Sequence, residues 1–133
     1  MHKPNDAAAG GLAALAGIEV EEVGEERATA RMPVTDAIRQ PLGMVHGGAL
    51  VALAEQVASQ ATHETVWPDG EIAVGQANFT SFLRPVTDGV VHAEATRLHR
   101  GRTSWLWDVR MSDDQDRLCA LSRVTLAVRP RPD

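Results

Sequence analysis

The residues whose types and spacing best suit catalysis lie between His46 and Glu55, where two glycines precede a carboxylate in an otherwise apolar stretch. Helices normally begin at Ser, Thr, Asp or Asn, whose side chains satisfy the first backbone N–H groups. Gly47 and Gly48 provide no such side chain, and they lower the helix propensity. Open N–H groups at the positive end of a helix dipole attract a polarised carbonyl or an oxyanion. The motif therefore predicts an electrophile site at the start of a helix.

Glu55 is the first carboxylate after this helix start, and it lies in a stripe of small residues. The stripe consists of Val51, Ala52, Ala58 and Ser59. A glutamate on a helix is usually a solvated surface residue, but a lone carboxylate among small side chains is expected to be partly desolvated. Beside an electrophile, such a group would act as a nucleophile or as a general base. Glu55 is therefore the first candidate for a catalytic residue.

Other reactive side chains give weaker signals. Cys119 is the single cysteine, lies in an alternating strand-like run, and is interpreted as a core residue. Three histidines, His63, His92 and His99, are scattered without the spacing of metal ligands. No metal site is predicted.

Hydrophobic periodicity predicts the elements that position these groups. A helix pattern runs from Gly48 to about Val66, and a weak alanine-rich helix covers residues 7–16. Strand patterns occupy two stretches between residues 18 and 34, bent at Gly24, and four later segments, 71–83, 90–99, 103–111 and 118–128. Short connections favour antiparallel neighbours. The prediction is a single α+β domain over residues 1–133, with five to six antiparallel strands and one long helix on one face.

Composition limits the partners. The net charge is −5, yet residues 84–133 carry nine arginines against seven acidic residues. Arginine suits phosphate groups, so this half could dock a nucleotide-bearing ligand; the alternative is that these arginines form ion pairs on outward strand faces. The negative total and the few aromatic residues disfavour a nucleic-acid partner. No apolar run approaches the roughly 20 residues of a membrane span, and no secretory signal is recognised, so a cytoplasmic protein is expected.

Two motifs at a fixed spacing, Val45-His46-Gly47-Gly48 and Leu53-Ala54-Glu55, resemble those of hotdog-fold acyl-CoA thioesterases. The resemblance is closest to 4-hydroxybenzoyl-CoA thioesterases of the Glu-dependent type and extends from Gln40 to the C-terminus. Further segments that share it are Val74-Gly75-Gln76, Thr80-Ser81-Phe82, Arg84-Pro85-Val86, Trp107-Asp108-Val109, Arg117-Leu118-Cys119-Ala120 and Ala127-Val128-Arg129-Pro130. It implies a hotdog fold, in which an antiparallel sheet wraps a long central helix, and hydrolysis of an aromatic acyl-CoA ester to the free acid and CoA.

The resemblance assigns roles to five residues at the reacting centre. Glu55 would attack the thioester carbonyl or activate water, and the Gly47 backbone N–H would polarise the carbonyl oxygen. Gln40 would hold the reacting groups, Ser59 would orient the carboxylate or its water, and His46 would support the thioester end of the pocket. Nucleophile and general base stay open as alternatives for Glu55.

Four further residues are assigned to substrate binding by the same resemblance. Gln60 would lie near the aryl end of the substrate, where the family has a glutamate. Arg84, Arg102 and Thr103 would contact the pantetheine and the nucleotide phosphates of CoA. CoA is part of the substrate, so no separate cofactor is expected. The acyl group itself stays open among 4-hydroxybenzoyl, benzoyl and phenylacetyl.

Helix geometry makes a prediction about assembly. Gly47 and Glu55 are eight residues apart, or about 12 Å along a helix axis, whereas a thioester carbon must lie roughly 3 Å from both groups. Two antiparallel copies of the helix around a two-fold axis bring such groups together. One subunit would then contribute Gln40, His46 and Gly47, and the other Glu55 and Ser59. A homodimer with composite sites is predicted, and the resemblance adds a homotetramer formed as a dimer of dimers.

Two alternative functions use the same fold. A hotdog acyl-CoA dehydratase or hydratase would need a catalytic histidine paired with an acid, and the presence of Gln40 and Ser59 speaks against it. A non-catalytic acyl-CoA-binding protein that acts as a sensor would usually carry a DNA-binding extension, which we do not expect in a short acidic chain.

Overall fold

The computed structural model of the protein describes residues 11–132. Two α-helices are present in this part of the chain, α1 (Leu12–Ala16) and α2 (Gly47–Val66). The strands are β1 (Glu19–Val23), β2 (Arg27–Pro33), β3 (Glu71–Phe82), β4 (Val90–Arg100), β5 (Ser104–Ser112) and β6 (Leu118–Pro130). Short 3-10 helices precede and follow α2, at Asp36–Ile38 and Trp67–Asp69.

The strands form one six-stranded antiparallel sheet in the order β1-β2-β4-β5-β6-β3. β1 and β2 form a hairpin, and β4, β5 and β6 form a meander, as short connections favour. β3 is the exception, because the chain leaves β2, runs through α2, and returns at the opposite edge of the sheet beside β6. As a result α2 crosses the sheet and packs against all six strands. The predicted α+β architecture is confirmed.

The apolar spacing of α2 explains how it packs. The helical side chains directed at the sheet are buried: Leu50, Leu53, Ala54, Val57, Ala58, Ala61, Thr62 and Val66. On β5, Trp105 and Trp107 are buried, with ring centroids 6.3 Å apart, as their spacing of two predicts. The indole N–H of Trp107 donates to Thr62 Oγ1 at 2.8 Å, and this hydroxyl donates to the Ala58 carbonyl oxygen at 2.8 Å. The polar groups under the helix are therefore paired inside the core.

The element boundaries differ little from the predictions, and the differences have structural causes. α2 begins at Gly47, one residue before the predicted start, because His46 caps it. β6 continues to Pro130 because its pairing with β3 extends as far as Glu71. α1 starts at Leu12, and residues 7–10 of the predicted helix lie outside the described residues. Across residues 11–132, no helix is both long and apolar enough to span a membrane.

β3 is an edge strand whose inner face runs along α2. A β-bulge interrupts its pairing with β6 between Gly75 and Ala77, which shifts the alternation of side chains by one residue. The β3 residues on the helix side, opposite buried residues of β6, are Ala73, Gly75, Asn78, Thr80 and Phe82. The strand runs antiparallel to α2, so Phe82 lies beside Gly47 and Gly75 lies beside Glu55. One row of β3 residues therefore follows α2 from the helix start to the carboxylate.

Candidate active site

The start of α2 is capped by the side chain of the residue before it. The Nδ1 atom of His46 accepts the Gly48 N–H at 3.0 Å, and the His46 carbonyl oxygen accepts the Ala49 N–H at 2.9 Å. The prediction that both glycine N–H groups stay open is therefore wrong for Gly48. The Gly47 N–H has no hydrogen-bond partner among residues 11–132. This one group remains available at the positive end of the helix dipole.

Gln40 lies in a tight turn that precedes α2. Its side-chain oxygen accepts the Leu42 N–H. Its backbone N–H donates to the Met44 carbonyl oxygen at 2.8 Å, and its carbonyl oxygen accepts the Gly43 N–H at 2.9 Å. Gly43 has a φ of 91°, a left-handed conformation that glycine adopts without strain. These bonds hold the turn in place, with Gln40 lining the same cavity as Gly47.

This cavity has a volume of about 440 Å³, within the range of roughly 300–1,000 Å³ that small-molecule sites occupy. Its lining residues are Gln40, Met44, Val45, Gly47, Leu50, Phe82, Leu83, Arg84, Pro85 and Val86. The polar side chains in this lining are Gln40 and Arg84, and the rest of the wall is apolar apart from the Gly47 backbone. The cavity therefore suits an apolar group whose carbonyl oxygen meets the Gly47 N–H.

Phe82 covers the Gly47 side of the cavity. A Cβ atom on Gly47 would lie 3.1 Å from Phe82 Cζ, so glycine leaves room for the ring at its observed position. Phe79 lies on the opposite face of β3 and is 74% exposed. The structure thus agrees with the spacing argument that at most one of these two rings lines the pocket, and the ring is that of Phe82.

Glu55 lies about two turns further along α2, in surroundings that differ from the prediction. Within α2, the exposed residues are Gly48 and Glu55. The expectation that its own chain shields the carboxylate is therefore wrong, because the small side chains of the stripe leave this flank of the helix open. The carboxylate lies against Gly75 of β3, where a Cβ atom would be 3.0 Å from Glu55 Oε2. Any further shielding of Glu55 must come from outside the chain.

Ser59 and Gln60 follow on the next turn of α2, and both are half-buried. Gln60 is held between two neighbours on the helix surface. The Gln56 amide donates to Gln60 Oε1 at 3.3 Å, and the Gln60 amide donates to Glu64 Oε2 at 2.8 Å. These hydrogen bonds give Gln60 a defined orientation one turn beyond Glu55.

A hydrogen-bond chain between α2 and β3 lies midway between Gly47 and Glu55. The Asn78 amide donates to the Val51 carbonyl oxygen at 3.2 Å, and Asn78 Oδ1 accepts the Thr80 hydroxyl at 2.8 Å. Thr80 Oγ1 lies 2.6 Å from the Ser122 hydroxyl oxygen. The sequence reasoning missed this chain, although the signal was present: polar residues at alternating positions of one strand face need partners when that face is covered.

Arg84 and Arg102, which the resemblance assigns to CoA, are not brought together within one chain. Arg84 follows β3 beside Cys119, whose carbonyl oxygen accepts its N–H at 3.1 Å. Thr103 lies in the turn after β4, where its carbonyl oxygen accepts the Val128 N–H at 2.9 Å. From Cys119 to Val128, β6 advances nine residues, or about 30 Å. Arg84 and the Arg102 turn therefore occupy opposite ends of the sheet.

The arginines divide into paired and unpaired groups. Ion pairs hold Arg97, Arg100 and Arg123 to acidic residues, as the alternative interpretation of the arginine-rich half expects, and Arg117 pairs with Asp113. Arg110, the fourth arginine of that interpretation, forms no ion pair among residues 11–132. Arg84 and Arg102 form no ion pair within the part of the chain that the structure describes. Two of the three side chains assigned to CoA therefore keep their hydrogen-bonding groups clear of carboxylates.

Cys119 and His63 have structural surroundings. Cys119 is buried, its Sγ donates to the Arg117 carbonyl oxygen at 3.3 Å, and burial raises the pKa of the thiol, which confirms a core residue. The His63 ring centroid lies 5.5 Å from that of Trp67, and burial lowers the pKa of His63. Among residues 11–132, no group of three or more His, Cys, Asp or Glu side chains is arranged to hold a metal ion.

A sheet wrapped around one long helix, with an open N–H at the helix start, is the architecture of hotdog-fold thioesterases. Comparison with known proteins extends this from architecture to family. The sequence profile of the Thioesterase superfamily matches residues 42–120, which include Gly47, Glu55 and the cavity lining apart from Gln40. The chain belongs to the Thioesterase superfamily, and it is an enzyme of that class.

Relatives with named activities and a solved structure support this membership. The chain is 34% identical to the 1,4-dihydroxy-2-naphthoyl-CoA hydrolase of Listeria monocytogenes over 91% of this chain and 98% of that one. It is 39% identical to the proofreading thioesterase EntH of Cronobacter turicensis over 93% and 90%. A glutamine-to-alanine variant of the Staphylococcus aureus thioesterase SAV0944 superposes with a TM-score of 0.86 at 28% identity, covering 90% of this chain and 98% of that one.

Proposed function

We propose that the protein hydrolyses an aromatic acyl-CoA thioester to the free acid and CoA, as 4-hydroxybenzoyl-CoA thioesterases of the Glu-dependent type do. The observation that carries the proposal is the Gly47 N–H, which finds no partner in the described residues and opens on an apolar cavity. A thioester oxygen bound to this N–H is polarised, and the developing oxyanion is stabilised at the positive end of α2.

The acyl group that fits best is an aryl or arylacetyl group, with 4-hydroxybenzoyl as the first candidate. The cavity wall offers Phe82 and aliphatic side chains around a space of about 440 Å³. Aromatic rings pack favourably on such a ring, in an offset or edge-to-face arrangement. The Listeria relative is named for an aromatic acyl-CoA, which supports the same substrate class here. Gln60, beyond Glu55, would meet the polar substituent of the ring.

Glu55 and Gln40 are the proposed catalytic side chains. The Staphylococcus aureus thioesterase was solved as two alanine variants, one of a glutamine and one of a glutamate. Those two positions are fifteen residues apart, the same separation as Gln40 and Glu55. This agreement in residue type and spacing supports the pair as functional. Ser59 would orient the carboxylate or its water from the next turn, and His46 would support the thioester end through the cap that it forms.

Two routes of hydrolysis are compatible with this arrangement. In the first, a Glu55 oxygen attacks the thioester carbon, the C–S bond breaks, CoA leaves as a thiolate, and water then hydrolyses the mixed anhydride. In the second, Glu55 removes a proton from water, which attacks the carbon directly. A single turnover in ¹⁸O-labelled water tests them: label in the Glu55 carboxylate establishes the first route. Label confined to the product acid arises in the second route and also when water attacks the acyl carbon of the anhydride, so rapid-quench trapping of an acyl-Glu55 anhydride separates these two cases.

A homodimer would complete the site. β3 is an edge strand with exposed apolar side chains, among them Val74, Phe79 and Phe82, and such edges are normally covered. Antiparallel pairing of two β3 edges around a two-fold axis near Asn78 would place the helix start of one copy beside Glu55 of the other, because β3 follows α2 over this whole distance. The same pairing would shield Glu55. A tetramer would follow as a dimer of two such dimers.

The same assembly explains the separated CoA-binding candidates. Arg84 and the Arg102–Thr103 turn occupy opposite ends of one chain, about 30 Å apart along the sheet. A two-fold axis between them exchanges the two ends, so that Arg84 of one copy and Arg102 of the other would approach one ligand. Guanidinium groups would then bind the nucleotide phosphates, and Thr103 would contribute a hydroxyl.

The test is thiol release from a panel of benzoyl-, 4-hydroxybenzoyl-, phenylacetyl- and straight-chain acyl-CoA esters. We expect the highest kcat/KM for an aryl or arylacetyl ester and near-complete loss of turnover in Glu55→Gln. Glu21→Gln, an exposed carboxylate on β1 at the far edge of the sheet, is the matched control and should behave as the unmodified protein. Preference for straight-chain esters contradicts the aryl proposal, and full activity of Glu55→Gln contradicts the mechanism.

A further inference from the structure

Gly75 leaves a space on β3 that the Glu55 carboxylate occupies. A Cβ atom at position 75 would lie 3.0 Å from Glu55 Oε2, 3.2 Å from Cδ and 3.7 Å from Oε1. Ordinary van der Waals contact would need a larger separation from at least the first two atoms. Any side chain other than hydrogen at this position therefore pushes against the carboxylate group itself.

The φ angle at this position does not require glycine. Among residues 11–132, the glycines with the positive φ that disfavours other residues are Gly17, Gly43, Gly70 and Gly89, and Gly75 is not among them. A glycine inside a strand lowers stability, and it often marks a bulge or a close approach. Both features are present at Gly75, since the β-bulge begins there and the carboxylate lies against its Cα.

The helix cannot move away easily to accommodate a larger residue. One turn before Glu55, the Asn78 amide holds the Val51 carbonyl oxygen at 3.2 Å and thereby ties α2 to β3. On the opposite side of the helix, Leu53 and Val57 are fully buried. With the backbone of α2 fixed at this level, the Glu55 side chain itself must take up the displacement.

We propose that Gly75 is a positioning residue: its missing side chain lets the Glu55 carboxylate lie flat against β3 and so sets where the carboxylate meets the thioester carbon. This inference rests on the proposed role of Glu55. A small displacement of a catalytic group is enough to lower the rate strongly, because the reacting atoms must approach to about 3 Å along a defined direction.

The experiment compares Gly75→Ala with the unmodified protein in two backgrounds, native and Glu55→Gln, with thiol release from the preferred aryl-CoA ester. In the native background, we expect kcat to fall by about 10- to 100-fold, with KM nearly unchanged, because substrate binding does not involve the methyl group. In the Glu55→Gln background, we expect Gly75→Ala to leave the small residual rate unchanged. A general defect in folding or assembly would lower both rates by the same factor.

Two measurements serve as controls. Glu21→Gln, on β1 at the far edge of the sheet, should retain the native kcat, while thermal unfolding should show that Gly75→Ala is folded with an equal or higher Tm. A native kcat in Gly75→Ala, or an equal loss in both backgrounds, overturns the proposal for Gly75. Full activity of Glu55→Gln instead overturns the proposed function, so the two failures are distinguishable.

Discussion

The two candidate groups on α2 have opposite surroundings, although they belong to one helix. Around Gly47, the chain supplies its own lining: the Gln40 turn, the Phe82 ring and an apolar cavity of about 440 Å³. Around Glu55, the chain supplies a glycine beneath the carboxylate and leaves the other sides open. The electrophile end is thus nearly complete within one subunit, and the carboxylate end is not.

This difference indicates how the enzyme positions the oxyanion donor and the carboxylate. An oxyanion donor must be fixed and protected from water, and a backbone N–H in a capped helix start meets this need within one chain. A carboxylate must also lie about 3 Å from the same carbon, which the helix rise of about 1.5 Å per residue prevents within one subunit. The exposed flank of Glu55 is therefore where we expect a second copy to approach.

The largest effect is expected from removal of the Gly47 N–H. Gly47 is the first residue of α2, a position where proline is tolerated because the N–H has no helical partner, and the preceding His46 has an extended ψ of 133°, which suits proline. We expect Gly47→Pro to lower kcat about 10²- to 10³-fold, as for other oxyanion donors, measured by thiol release.

Gly47→Ala is the matched control for this change. It retains the N–H and adds a Cβ atom that meets Phe82 at a similar place, 3.1 Å from Cζ. The difference between the proline and alanine variants isolates the N–H from the crowding of Phe82. Equal kcat values in the two variants would assign the loss to crowding and exclude the N–H as the polarising group.

Gly47 of one subunit and Glu55 of the other are expected to act at the same site. Gly47→Pro and Glu55→Gln are each expected to be nearly inactive, but a co-expressed equal mixture should recover about a quarter of the native activity. The reason is that half of the dimers are mixed and each mixed dimer has one intact composite site. The measurement is kcat per total site in the mixture. Activity no higher than the mean of the two parents would place both groups in one subunit.

A smaller effect should follow from removing the hydrogen bond between β3 and α2 that lies midway between Gly47 and Glu55. Asn78→Leu removes the hydrogen bond to the Val51 carbonyl oxygen while keeping a side chain of similar size. We expect a loss of about 1 kcal/mol in the free energy of unfolding, measured in urea, and a several-fold decrease of kcat. Ser81→Ala, on the opposite face of β3, is the control. A similar loss of stability and kcat in this variant would exclude the Asn78–Val51 hydrogen bond as the cause.

The smallest expected effect is a change in the pH dependence of stability, and it concerns His63, which is outside the surroundings of both Gly47 and Glu55. Burial lowers the pKa of His63 below its ordinary value of 6.5. Below this pH the unfolded chain takes up a proton that the folded His63 resists, so stability is complete above pH 6.5 and declines as the pH falls. His63→Phe should flatten the decline in a series of urea unfolding curves. An unchanged pH dependence would exclude His63 as its cause, and kcat should be the same in both proteins.

The local sequence pattern was sufficient to predict the helices and strands of this fold. The alternation around Trp105 and Trp107 predicted a strand with a buried face, and the apolar spacing after Gly48 predicted α2, because both periodicities are properties of neighbouring residues. The fact that β3 returns to the far edge beside β6 was not predicted, since strand order depends on contacts between residues far apart in the chain.

The amino-acid sequence was enough to identify the reactive groups: a helix that starts at glycine, a carboxylate eight residues later, and the resemblance that joined them to thioester hydrolysis. The surroundings of these groups follow from the tertiary structure. In the structure, His46 accepts the Gly48 N–H and leaves the Gly47 N–H available. The Glu55 side chain is exposed, and its carboxylate lies against Gly75. The physical reason is that capping, exposure and close approach depend on what packs next to a residue, which helix and strand periodicity do not encode.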